Sequence, residues 1–148
     1  MAPTIDELRK LLPDSAVLIG AKVATREDAI RRAGALLVAS GALHPAYVDQ
    51  MLERESVVST FVGDGVAMPH GTLNAKNDVL EEGLSVLVLA EPIDWAGQPV
   101  ALVIGIAAHG RRYITLLSQL AANLLDDGRV DELRGALTVE RVRELLAS

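Results

Sequence analysis

The chain has 148 residues, with 14 basic side chains against 20 acidic ones and a formal net charge of −6. It has no cysteine, which excludes disulfides, thiol catalysis and Cys-based zinc sites and fits a reducing compartment. No basic run exceeds the pairs Arg31-Arg32 and Arg111-Arg112, so no nucleic-acid face is expected. The N-terminus lacks a signal-peptide pattern, and the apolar runs fall short of the about 18 residues a membrane span needs. A cytoplasmic protein without direct membrane insertion is therefore expected. Half the residues are apolar but only 3% are aromatic, so the core must be built from Leu, Val, Ile and Ala.

Taken in order, Thr4-Ile5-Asp6-Glu7 matches a helix capping box, with Ile5, Leu8, Leu11 and Leu12 at helical spacing up to Pro13. Val17-Leu18-Ile19 reads as a small strand closed by Gly20. Thr25 starts a second helix whose inner face is Ala29, Ile30, Ala33, Leu36 and Leu37, with Gly41 as its stop. Pro45 opens a third helix with the stripe Tyr47, Val48, Met51 and Leu52, ending in Glu53-Arg54-Glu55. Two short extended runs follow, Thr60-Phe61-Val62 and Val66-Ala67-Met68, split by Gly63-Asp64-Gly65. Thr72 caps a further short helix to about Asp78.

Leu84 to Ala90 and Val100 to Ala108 have the composition of strands buried on both faces, while Glu91-Pro92 and Ala96-Gly97-Gln98-Pro99 read as loop or turn. The tail is helical. Tyr113, Leu117, Leu120, Ala121 and Leu124 share one face, Val130, Leu133 and Leu137 a second, and Thr138 caps a last helix with Val142, Leu145 and Leu146. Helices before, between and after buried strands imply an α/β fold, one sheet covered on both faces. Without a linker, repeat or low-complexity segment, residues 1–148 are expected to form a single free-standing domain.

Three histidines are the candidates for chemistry. His44 precedes Pro45 and reads as a structural residue at a helix start. His70 lies between Pro69 and Gly71 at the end of a short apolar run, and His109 follows the long run Val100 to Ala108. Both stand at strand ends, where open α/β sheets collect ligand chemistry, and His70 is expected to face outward. His70 also has a bland reading, a histidine in a surface turn. No HExxH, nucleophile elbow or phosphate-binding Gly-rich loop is present, so zinc, serine hydrolase and P-loop chemistry are not indicated. The paired acids Glu53/Glu55 and Glu81/Glu82 read as solvated helix ends.

What remains is a histidine nucleophile toward phosphorus, through a covalent intermediate that splits one transfer into two. Backbone N–H groups after Gly71 and the Thr72 hydroxyl could hold phosphoryl oxygens. Arg54 is the best-placed cation, although a helix-surface ion pair would explain it equally well.

The segment Gly65-Val66-Ala67-Met68-Pro69-His70-Gly71-Thr72, with Ala75-Lys76, resembles the active-site segment of IIA domains of the bacterial phosphoenolpyruvate-dependent sugar phosphotransferase system, mannitol/fructose class. Tyr47 to Glu55, Leu102 to Ala108, Asp126-Asp127 and Thr138 to Leu146 extend the likeness over nearly the whole chain. The resemblance implies a mixed five-stranded sheet with helices on both sides and no metal or organic cofactor. It implies that His70 takes a phosphoryl group from the phosphocarrier HPr and passes it to a cysteine of a IIB domain, for sugar uptake through membrane IIC. Arg54 would match the arginine that binds the phosphoryl group. The Pro69-His70-Gly71-Thr72 pattern is most similar to the mannitol branch. Pro92-Ile93-Asp94 and Gly97-Gln98-Pro99-Val100 are more similar to the fructose and nitrogen-regulatory branches. The alternative is accordingly a regulatory module whose phosphorylation state controls protein binding. Mannitol-branch members carry a second active-site histidine. The matching position here is Tyr113, with His109 four residues earlier, so either group could take that role.

Overall fold

The computed structural model describes residues 3–72, 77–108 and 110–147. Five strands form one sheet in the order β1-β4-β5-β3-β2, where β1 is Val17–Ala21, β2 Phe61–Gly63, β3 Val66–Ala67, β4 Gly83–Trp95 and β5 Gln98–Ala107. The sheet is mixed. β1 runs parallel to β4 and β3 parallel to β5, while the β4–β5 and β2–β3 pairs are antiparallel. The helices are α1 (Ile5–Leu11), α2 (Arg26–Ala39), α3 (Ala46–Val57), α4 (Gly110–Leu124), α5 (Arg129–Arg134) and α6 (Val139–Leu146).

Strand alternation divides the core in two. Leu102, Ile104 and Ile106 of β5 join Val66, Met68, Val86 and Val88 beneath α1, α4, α5 and α6. Val103 and Ala107, with Ala67, Leu87, Leu89 and Trp95, pack under α2 and α3 on the opposite face. The expected two-sided α/β layering is therefore present, and apart from Ser85 the central strands are apolar over residues 84–89 and 100–107, where neither face meets water.

Local chemistry sets the ends of these elements. Thr4 and Glu7 form a reciprocal capping box, and Thr25 and Thr138 cap α2 and α6 through their hydroxyls. His44 accepts the Ala46 N–H through Nδ1 at 3.2 Å, the structural role expected of it at the start of α3. The β2–β3 turn holds Gly63, Asp64 and Gly65 all at positive φ.

Three expectations need correction. Glu91-Pro92 and Gln98-Pro99 lie within strands, not in loops, because β4 and β5 run on into a hairpin closed by two residues, Ala96 (φ 52°) and Gly97 (φ 90°). Pro92, with no N–H to give, sits where the β4–β5 register shifts between Val88 and Ile93. Leu137 does not share the Leu133 face. It follows the end of α5 and is 89% exposed. Glu55 is not a solvated helix end but is buried, as described below. The short helix expected after Thr72 falls largely on residues 73–76, outside the described residues.

Gly105 of β5 leaves no room for a side chain between Ser85 of β4 and α2. A Cβ there would lie 2.5 Å from Ser85 Oγ, which donates to the Ala33 carbonyl at 2.9 Å. Gly105→Ala is expected to displace that hydroxyl and lower stability by about 1–3 kcal/mol, read as a lower urea midpoint at unchanged m-value.

Candidate active site

His70 continues the line of β3 past its last ladder residue. The Pro69 carbonyl accepts from Ile106 N–H at 3.0 Å, and His70 forms a parallel bridge with Ile106, so the histidine is fixed at the carboxyl end of the sheet beside β5. Pro69 and Gly71 on either side are both buried. His70 itself is only 5% exposed, in contrast to the outward-facing side chain the strand-end position predicts.

Two contacts orient the ring. Nδ1 lies 2.9 Å from the Met68 carbonyl oxygen. A carbonyl can only accept, so Nδ1 carries the proton and Nε2 keeps its lone pair. Among the described residues Nε2 has no hydrogen-bond partner. The phenol ring of Tyr113, in the first turn of α4, packs on the imidazole with centroids 5.0 Å apart and planes 30° apart. Burial pushes the His70 pKa below its ordinary value, the Met68 carbonyl opposes this, the Arg54 charge lowers it further, and Glu55 pulls it upward. The net direction is down, so the imidazole is neutral near pH 7.

Arg54 belongs to the last turn of α3 and donates from Nη1 to the Val58 carbonyl at 2.7 Å, capping its own helix. It makes no ion pair among the described residues, so the helix-surface pairing considered for it is not seen. Four guanidinium N–H groups remain for other partners.

Gly71 and Thr72 are held by α3. Gly71 N–H donates to Tyr47 Oη at 2.8 Å, and Thr72 Oγ1 donates to Gln50 Oε1 at 2.8 Å. The Gly71 N–H and the Thr72 hydroxyl are thus engaged with the helix and anchor the segment that carries His70, while most of the backbone N–H groups expected to follow Gly71 belong to residues 73–76, outside the described residues. Tyr47 is buried, and burial raises its pKa, so the phenol keeps the proton it directs at the Ile106 carbonyl, 3.5 Å away. His109 lies outside the described residues.

Sequence reasoning missed Tyr47, Gln50, Glu55 and Trp95 as parts of this site. By spacing alone Tyr47 belongs to the apolar stripe of its helix. Its signal was available in the pairing of a buried phenol, which needs a polar partner, with a glycine that tolerates close approach. A Cβ on Gly71 would stand 2.5 Å from Tyr47 Cζ. Among the described residues no group of His, Asp and Glu is placed to hold a metal ion, and no helix is long and apolar enough to cross a membrane.

The family described as phosphoenolpyruvate-dependent sugar phosphotransferase system, EIIA 2, matches residues 10–148. The mannitol-specific phosphotransferase enzyme IIA component of Halalkalibacterium halodurans is 42% identical over 137 residues, covering 93% of this chain and 92% of that protein. The crystal structure of IIA mannitol from Escherichia coli aligns with a TM-score of 0.84 at 38% identity, over 90% of this chain and 96% of that one. The NMR structure of the E. coli complex of enzyme IIAMTL with phosphorylated enzyme IIBMTL aligns with a TM-score of 0.83 at 37% identity, over 89% and 94%.

Gly71→Ala is expected to push Tyr47 aside and free the Gly71 N–H, costing about 1–3 kcal/mol. Tyr47→Phe removes only the hydroxyl and should cost a similar amount, because it leaves the same buried N–H unpaired. Denaturant unfolding of the two variants checks both values. A Tyr47→Phe protein as stable as wild type would show that this bond does not hold the loop.

Proposed function

The chain belongs to the EIIA 2 family of the phosphoenolpyruvate-dependent sugar phosphotransferase system, and from that premise we propose that it is a mannitol-class phosphoryl carrier acting through Nε2 of His70. It accepts the phosphoryl group from HPr and delivers it to a IIB domain, which serves mannitol uptake through membrane IIC from the cytoplasmic side. The observation that carries this reading is the Nδ1 bond to Met68, which leaves a neutral ring with its lone pair on Nε2. The mannitol-named relatives and the phosphorylated IIB partner of one of them support the substrate and the acceptor.

In the first transfer the Nε2 lone pair forms a new N–P bond as the donor's N–P bond breaks and the donor imidazole leaves with that electron pair. In the second, the acceptor cysteine thiolate forms an S–P bond, the Nε2–P bond breaks, and the lone pair returns to His70. The proton stays on Nδ1, hydrogen-bonded to the Met68 carbonyl, throughout, so the ring acts as nucleophile and then leaving group without turning over. Arg54, whose charge is already felt at His70, turns free N–H groups to the phosphoryl oxygens. Tyr113 stacks on the ring and supplies a phenolic donor at the position where the mannitol branch has its second histidine. Gly71 and Thr72 hold the loop in place.

Incubation with phosphoenolpyruvate, enzyme I and HPr should add one acid-labile, base-stable phosphate to the wild type and none to His70→Ala, by intact mass. Wild type without label beside phosphorylated HPr would overturn the reading. Because the His70 pKa is lowered, phosphoryl acceptance should stay level as pH falls through about 6.5 and decline only below that. The sign for stability agrees. The unfolded chain takes up the proton first, so the His70 contribution is lost as pH falls through its unfolded value. Arg54→Met removes a cation that lowers this pKa. It should move the His70 titration midpoint upward, as followed by NMR, while slowing acceptance by about 100-fold through lost transition-state contacts.

A further inference from the structure

Glu55 is a buried carboxylate, 4% exposed, that the transfer steps above do not use. It adjoins Arg54 on α3 but turns inward. Three donors converge on it: Thr60 N–H at 2.8 Å and Trp95 Nε1–H at 2.9 Å on Oε2, and the Thr60 hydroxyl at 2.5 Å on Oε1. Trp95 is fully buried at the far end of β4, and Thr60 is the buried residue just before β2. One carboxylate thereby ties α3 to two strands that are not neighbours in the sheet.

The contacts continue to the histidine. The Thr60 carbonyl accepts from Met68 N–H at 3.1 Å, and the Met68 carbonyl faces His70 Nδ1 at 2.9 Å. Met68 is held on its N–H side by Thr60, which Glu55 grips through both its N–H and its hydroxyl. The carbonyl belongs to the next peptide plane, which the Thr60 bond constrains through the Met68 Cα together with the restriction Pro69 places on Met68. It holds the imidazole only while that plane is fixed. A small rotation would release the Nδ1 proton and let the ring take the other tautomer, with its lone pair turned into the protein.

We propose that Glu55 is a positioning residue for phosphoryl transfer: through Thr60 it sets the Met68 carbonyl that holds His70 in the Nδ1–H tautomer. Glu55 touches neither phosphoryl group nor reacting atom, so its effect falls on the population of reactive His70. The inference rests on the His70 carrier reading, and tautomer and transfer are therefore read separately.

The test is 15N NMR of the full-length protein labelled at histidine, with the His70 signals assigned by their loss in His70→Ala, beside single-turnover phosphorylation by phospho-HPr. Wild type should show one bare and one protonated ring nitrogen, the proton on Nδ1. Glu55→Ala should average the two signals toward mixed tautomers. It should also lower the rate at saturating donor by about tenfold or more at unchanged half-saturation. Glu55→Gln is the rescue. Its amide oxygen can accept from Thr60 and Trp95 while its NH2 donates to the Thr60 hydroxyl, so tautomer and rate should return close to wild type. Emission of Trp95, the single tryptophan, reports whether each variant keeps a folded core. Should Glu55→Ala fail to fold, Thr60→Val, which removes only the hydroxyl donor, should shift the tautomer part of the way. An unchanged tautomer in the folded Glu55→Ala protein, or in Thr60→Val in its place, overturns the proposal, as does a Glu55→Gln protein no better than Glu55→Ala. A wild type that takes no phosphate would sink the carrier reading, while the tautomer shift would still decide the role of Glu55.

Discussion

The hydrogen bond from His70 Nδ1 to the Met68 carbonyl is the constraint on which the rest of the site depends. It spans two residues of one chain, so it needs the backbone to pass from β3 into the loop with a fixed pitch. Pro69 supplies that pitch by locking its own φ and restricting Met68 before it. β5 supports it from the side through the Pro69–Ile106 bond, and α3 from above through Tyr47 and Gln50. The result is an imidazole that is neutral by burial, oriented by a carbonyl and stacked against Tyr113. None of these features is strong alone, since a neutral hydrogen bond contributes about 1 kcal/mol net. Together they reduce the ring to one tautomer and one orientation.

The sheet makes that arrangement possible. A mixed sheet with β3 parallel to β5 puts the carboxyl ends of both strands at the same end of the sheet, where His70 leaves β3 and α4 begins soon after β5. The two cores on either side differ in what they contribute. The α2/α3 layer brings Tyr47, Gln50, Arg54 and Glu55 to the site from a single helix, whereas the opposite layer brings Tyr113. A carrier that exchanges its cargo between two partners benefits from such division. The nucleophile is held by backbone, and on the same helix end Arg54 stays partly accessible while Glu55 turns inward.

Much of this was legible in the sequence, for physical reasons. Caps at Thr4, Thr25 and Thr138 declare themselves because their side chains satisfy helix N–H groups locally. The apolar runs around Val86 and Val103 declare strands buried on both faces. The Met-Pro-His-Gly-Thr segment marks His70 as a candidate through its turn chemistry, which by itself leaves a histidine in a surface turn open. What escaped was non-local. Glu55 is indistinguishable by pattern from a solvated helix end, because its partners Thr60 and Trp95 come together only in three dimensions. The run of β4 through Pro92 escaped because proline ordinarily breaks a ladder, and the register shift between Val88 and Ile93 that accommodates it appears only in the pairing with β5. The depth at which His70 lies could not be read from a motif whose neighbours, proline and glycine, also mark exposed turns.

The measurement that tests the central claim most directly is the identity of the phosphorylated atom. Protein labelled with 15N at histidine, phosphorylated through HPr and observed by 15N and 31P NMR, should show phosphorus coupled to Nε2 of His70, with Nδ1 still protonated. Phosphate on Nδ1 of His70, or on another residue, would contradict the account, because the bond to Met68 would then not be what selects the nucleophile.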